Sequence, residues 1–126
     1  MQINCDQTYP KPLTAIGEEL VRLLKRREYE VIVERFSYAL AGDRPLVQAL
    51  TCDVEACLCN EERSARIALA AEARIEVNYF KQPNSANLFG LVECFLPLDF
   101  DHGELLATLI VTTENQQYYV ELEDIS

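Results

Sequence analysis

A single carboxylate, Glu93, interrupts the apolar run Leu88-Phe89-Gly90-Leu91-Val92-Glu93-Cys94-Phe95-Leu96. If its side of that run is covered, desolvation would raise its pKa and equip it to move protons. If that side is open, Glu93 is exposed or pairs across strands with Arg74, which a turn over 81–87 would bring opposite Cys94 or Glu93. A second concentration is Asp99-Phe100-Asp101-His102-Gly103-Glu104. His102, the only histidine, could act as a general base beside Asp99 or Asp101. The same residues also suit a solvated loop. The D-x-D start is not a calcium loop: Gly103 arrives one position early for an EF-hand, and Ile110 stands where the bidentate Glu belongs.

Cys57-Leu58-Cys59 has the look of half a metal site. On a helix, residues two apart face away from each other, and no histidine lies near. The five cysteines, Cys5, Cys52, Cys57, Cys59 and Cys94, are therefore expected to be reduced thiols binding no metal. Phosphate-loop, G-x-S-x-G, HExxH and paired CxxC signatures are all missing, and no cofactor is expected. Tyr119, Glu121 and Glu123 alternate along a terminal strand pattern, where they would share a half-polar face with Thr108, Ile110 and Thr112.

The elements that must position these groups follow from periodicity. Leu13, Ile16, Leu20, Leu23 and Leu24 recur at helical spacing after Pro10 and Pro12, with Thr14 as the expected cap and Lys25-Arg26-Arg27 at the C-terminal end. Tyr29, Ile32, Val33, Phe36, Ala39 and Leu40 mark a second helix stopped by Gly42. Asp43 would cap a third, with Pro45 early and Leu46, Ala49, Leu50, Cys57 and Leu58 as its stripe. Residues 64–73 conflict: alanine content favours helix and parity favours strand. Strands are expected over about 71–80, 88–96, 104–113 and 118–125. In the last hairpin, pairing Thr113 with Tyr118 sets Val111 against Val120 and Leu109 against Leu122. The order predicts one α+β domain over 1–126, three helices packed on a four-stranded antiparallel sheet, with 1–12 a loose N-terminal segment.

The chain has 126 residues and a formal net charge of −10. Residues 64–126 hold 3 basic and 10 acidic side chains, and no Lys or Arg follows Lys81. Such a surface repels a phosphate backbone, so nucleic-acid binding is disfavoured. It attracts cationic partners. No apolar stretch approaches the ~20 residues of a membrane-spanning helix, and 1–12 lack the pattern of a signal peptide. A cytoplasmic protein without membrane attachment is expected.

The helix pair over 16–40, broken around 25–29, and the closing meander over 88–125 resemble the nuclear transport factor 2-like superfamily. Leu105-Leu106-Ala107-Thr108-Leu109-Ile110-Val111 and Tyr119-Val120-Glu121-Leu122-Glu123-Asp124-Ile125 are similar to the final hairpin of its uncharacterised bacterial members. The resemblance implies helices laid across a curved, cone-like sheet. The short strand many members insert between the second and third helices has no room at Gly42-Asp43-Arg44-Pro45. No enzyme's catalytic set maps onto this chain, and the superfamily spans isomerases, dehydratases, transport factors and immunity-like binders.

Two functions fit. One is a binding protein that recognises a basic protein partner through its acidic strand half, with Asp99, Asp101, Glu104, Tyr119, Glu121 and Glu123 as contacts. The other is a small-molecule-binding or isomerase/lyase-type enzyme using Glu93, or His102 with Asp99, in a sheet-lined pocket. A closed cavity around Glu93 would favour the enzyme. A filled core under an acidic face would favour the binder. Apolar area on the outer sheet face would also suit a homodimer.

Overall fold

A computed structural model describes residues 1–59, 64–99 and 103–126. The chain is α+β: strand β1 (Gln2–Ile3), helices α1 (Pro10–Lys25), α2 (Tyr29–Phe36) and α3 (Leu46–Leu58), then strands β2 (Arg74–Tyr79), β3 (Leu88–Pro97), β4 (Glu104–Glu114) and β5 (Gln117–Ile125). The sheet is antiparallel with order β1-β5-β4-β3-β2. It has five strands where four were expected. The extra one comes from the N-terminal segment, expected to be loose. Gln2 and Ile3 pair with Tyr119 and Tyr118, and Ile3 and Thr8 are buried. Thr8 is held by Tyr79, whose hydroxyl donates to its carbonyl at 2.7 Å.

Helix α1 begins before the expected Thr14 cap. Pro10 and Pro12 lie inside its first turn, where an amide has no intrahelical acceptor and proline costs nothing. It ends in a left-handed Arg27 at φ 56°. There Glu28 N–H donates to Leu23 O at 3.0 Å and Arg27 N–H to Leu24 O at 3.1 Å. These two bonds satisfy carbonyls the last turn would leave open.

Helix α2 stops at Phe36, short of the expected Leu40. Ser37 takes φ 60°, Tyr38 is extended, and Ala39–Ala41 form a single 3-10 turn closed by Gly42 at φ 59°. The break buries Tyr38 in place of Leu40, which is 52% exposed. Helix α3 starts at Leu46 after Pro45, not from an Asp43 cap. Residues 64–73 are neither helix nor regular strand. An isolated bridge joins Ile67 to Leu98, and Ala68 N–H donates to Pro97 O at 2.9 Å. Lys25 Nζ donates to Ala71 O at 2.7 Å.

The last hairpin has the expected register: Thr113 opposite Tyr118, Val111 opposite Val120, Leu109 opposite Leu122. Val92, Cys94, Leu96, Leu105, Ala107, Leu109, Val111, Val120 and Leu122 all point to one face, buried with Leu13, Leu20, Leu24, Ile32, Phe36, Leu50 and Val54 of the helices. At the far end of this layer the Phe89 ring sits edge-on between Tyr79 and Tyr118, at centroid distances of 5.6 and 5.1 Å. The register shift between Leu88 and Gly90 turns Phe89 onto this side.

Gly17 sets the spacing of the two layers. A Cβ there would lie 3.0 Å from Val92 Cγ1, 3.1 Å from Ile75 Cγ2 and 3.2 Å from Cys94 Sγ. Gly17→Val should overpack this contact and cost about 1–3 kcal/mol. Urea denaturation would read that loss, and an unchanged midpoint would show that α1 is free to lift from the sheet.

Candidate functional site

The face of the sheet away from the helices is covered by no described element. Its side chains come from alternate positions of β2 to β5. Arg74, Glu76 and Asn78 stand on β2, Leu91, Glu93 and Phe95 on β3, Leu106, Thr108 and Ile110 on β4, and Tyr119 and Glu121 on β5. Register sorts them into cross-strand rows. Arg74, Phe95 and Leu106 form one row, Glu76, Glu93 and Thr108 the next, and Asn78, Leu91, Ile110 and Glu121 the third. An acidic row thus lies between two rows with apolar centres.

Glu93 is on this open face, half-buried, opposite Glu76. Asn78 Nδ2 donates to Glu93 Oε1 at 3.4 Å. The expected partner, Arg74, is instead opposite Phe95. Its guanidinium lies over that ring, 4.1 Å from the centroid. Arg74 Nε is 3.5 Å from Glu76 Oε1, and Nη2 is 3.9 Å from Glu104 Oε1. One arginine therefore serves two carboxylates and an aromatic face.

The other expected residues separate. Asp99 is exposed, but its Oδ1 accepts from Arg66 N–H at 2.8 Å, and its own N–H donates to Arg66 O at 2.9 Å. It ties the 64–73 segment to the end of β3. Asp101 and His102 lie outside the described residues. Glu104 is exposed at the start of β4 beside Arg74. Tyr119 is 37% exposed and donates its hydroxyl to Gln117 Oε1 at 2.6 Å. Glu121 is opposite Ile110 as expected, while Glu123 falls at a register irregularity and has no direct cross-strand partner on β4. Leu109 pairs with Leu122 and Thr108 with Asp124, so the register steps over Glu123 and puts Asp124 opposite Thr108.

The cysteines are unbonded. Burial pushes the Cys94 thiol up to about 12, and its sulfur lies 3.7 Å from Gly17 O. Burial, then the charges of Asp53 and Asp124, raise Cys57. Both stay protonated and poorly nucleophilic at neutral pH. Cys59 lies just past the end of α3, in extended backbone. Among the described residues no cluster of three or more His, Cys, Asp or Glu could hold a metal ion. Open clefts lie on the helical side. One of about 400 Å³ between α1 and β2 is lined by Glu18, Lys25, Glu72 and Ile75. Another of about 510 Å³ is lined by Arg27, Tyr29, Glu55 and Arg66. Neither Glu93 nor Asp99 lines these clefts. No helix among the described residues is long and apolar enough to cross a membrane.

The strongest polar arrangement was not anticipated. The buried Tyr38 donates its hydroxyl to Asp53 Oδ2 at 2.6 Å. Arg44 grips the same carboxylate with Nη1 to Oδ1 at 3.1 Å and Nη2 to Oδ2 at 2.9 Å. Its Nε and Nη2 also donate to Ala41 O and Leu40 O. Burial, then the Asp53 hydrogen bond, raises the Tyr38 hydroxyl. The bonds from Arg44 and then Tyr38 hold Asp53 below the usual carboxylate range. The signal was a tyrosine between helical stripes, whose hydroxyl needs a partner once the ring is buried.

Comparison with protein-family models, with curated proteins and with solved structures finds no match.

Because Asp53 is depressed in the folded chain, its contribution is complete above the unfolded carboxylate value near ~3.9 and is lost as pH falls through the folded one. Asp53→Asn should lower the urea midpoint at pH 7. The gap to the unaltered chain should close on acidification toward pH 2. A gap that stays constant with pH would mean that the carboxylate's charge contributes nothing.

Proposed function

We propose that this chain is a small cytoplasmic binding protein that recognises a basic protein partner through the open face of its sheet, in an immunity-like or regulatory role. The observation that carries this reading is the uncovered face itself, where carboxylates alternate with apolar rows. Glu76, Glu93, Glu104 and Glu121 surround Leu91, Phe95, Leu106 and Ile110, and among the described residues of these rows Arg74 is the one cation. Apolar rows supply contact area, and carboxylates steer an oppositely charged partner toward it. Of the residues first expected to bind, Glu104, Tyr119 and Glu121 belong to this surface. Asp99 is exposed and also ties Arg66 to the end of β3.

A kinship with the nuclear transport factor 2-like superfamily, with a cone-like sheet, is part of the proposal. Its support is the order of three helices and a closing antiparallel meander. The binding reading is favoured over an enzyme using Glu93, because Glu93 stands on the open face of the sheet and lines neither of the clefts on the helical side. The alternative with His102 and Asp99 falls partly outside the described residues. A homodimer through the open face is the competing use of the same surface. The apolar rows favour it and the carboxylates oppose it.

The test is affinity capture from native lysate at low and high salt, with the unaltered chain and with Glu104→Gln/Glu121→Gln as bait. A basic protein recovered at low salt, lost at high salt and depleted by the variant is the expected result. Recovery indifferent to both salt and substitution would sink the proposal.

A further inference from the structure

We infer that the open face docks an arginine-bearing basic segment of its partner, one guanidinium seating between Glu76 and Glu93 with its stem along the neighbouring apolar rows. This inference rests on the proposed binding function and names the chemistry of what is bound.

The face is an unpartnered apolar surface, and the question is what covers it. Leu91 and Ile110 lie on one side of the acidic row, Phe95 and Leu106 on the other, all partly exposed. A second copy would bring the Glu76–Glu93 row against another carboxylate-bearing face. Like charges brought together out of water repel, so stacking two such faces is disfavoured. The charge complement is a cation.

The choice of arginine over lysine comes from what the face already holds. The Arg74 guanidinium lies over the Phe95 ring, 3.5 Å from Glu76 and 3.9 Å from Glu104. The surface has thus been matched to a planar, weakly hydrated guanidinium once, within its own chain. One row on stand Glu76 and Glu93, and among the described residues the cation within reach of this pair is Arg74, on the Glu76 side. Glu76 and Glu93 are direct cross-strand partners, an arrangement that like charges disfavour. Arg74 is within reach of Glu76, Glu104 and the Phe95 ring, and among the described residues the partner of Glu93 is the Asn78 amide at 3.4 Å. A guanidinium between the two carboxylates can donate to both, and its methylene stem would lie on Leu91 or Phe95. The ammonium of lysine is compact and strongly hydrated, and meets only the charge requirement.

The experiment uses the full chain and three fluorescent peptides of equal length, in which leucine alternates with arginine, lysine or glutamate. Anisotropy titrations should give about tenfold tighter binding of the arginine peptide than of the lysine peptide, a difference of about 1.4 kcal/mol, and none of the glutamate peptide. Glu93→Gln and Glu76→Gln should each abolish most of that preference. Thermal denaturation of both variants should show melting unchanged or raised, because a like-charge pair is relieved. Equal affinity for the arginine and lysine peptides overturns the arginine seat. So does a preference that survives both substitutions, or a chain that sediments as a dimer and binds none of the peptides. If affinity falls with Glu104→Gln/Glu121→Gln but not with Glu76→Gln or Glu93→Gln, the seat is wrong and the acidic binding face stands. If no basic peptide binds and lysate capture is empty, both fail.

Discussion

The close seat of α1 on the sheet at Gly17 is the constraint on which the layer arrangement depends. With no side chain at this position, the helix backbone comes down onto Val92, Cys94 and Ile75. At that spacing Leu13, Leu20 and Leu24 reach the sheet and are sealed from water. A larger residue would hold the helix off and open voids along the β2–β3 side, and interiors tolerate voids poorly. Every helix is therefore committed to one face. The consequence for function is topological. A single helical layer leaves the opposite face of the sheet with no described element to cover it.

A second constraint fixes the other half of the helical layer. Ser37 and Gly42 both take positive φ, and the chain between them runs across α3. Tyr38 fills the core there, and its hydroxyl would be unsatisfied without Asp53. Arg44 binds that carboxylate while also accepting the duty of two loop carbonyls, at Ala41 and Leu40. One aspartate thus organises the turn that joins α2 to α3. The 3-10 turn it holds also packs on β5, so the same carboxylate helps position the strand that carries Tyr119 and Glu121.

The hairpin of β4 and β5 was legible because apolar residues of one parity on both strands admit only one register that buries them together. The α+β order was legible for the same reason, since the period changes from helical to alternating midway along the chain. Three features were not. Strand β1 is two residues long, too short to have a period. The end of α2 is decided by Tyr38 finding Asp53, fifteen residues on, which outweighs the helical spacing of Ala39 and Leu40. The partner of Glu93 depends on the turn before β3, where the Asn84 side chain binds both the N–H and the C=O of Leu88. No apolar pattern in 81–87 announces that geometry. The acidic face was legible in content but not in membership. Glu121 follows from alternation, whereas Glu76 enters only through the β2–β3 register, and the shift beside Leu109 leaves Glu123 without a direct cross-strand partner.

Adjacent residues on β3 carry the argument about chemistry. Glu93 and Cys94 are neighbours in the chain and lie on opposite faces of the sheet. The thiol is sealed beneath α1, where burial keeps it protonated. The carboxylate is on the side that water and partners can reach. A register that placed Glu93 inward would have made it a buried acid beneath α1, the arrangement that proton-transfer sites use. The observed one does the reverse. It places the reactive atom type without access and the charged one without enclosure. A carboxylate on an open face beside a second carboxylate, with aromatic and aliphatic rows on either side, has the composition of a contact surface. In the proposed binding role its charges would select which partners approach, and its apolar rows would supply the area a partner buries.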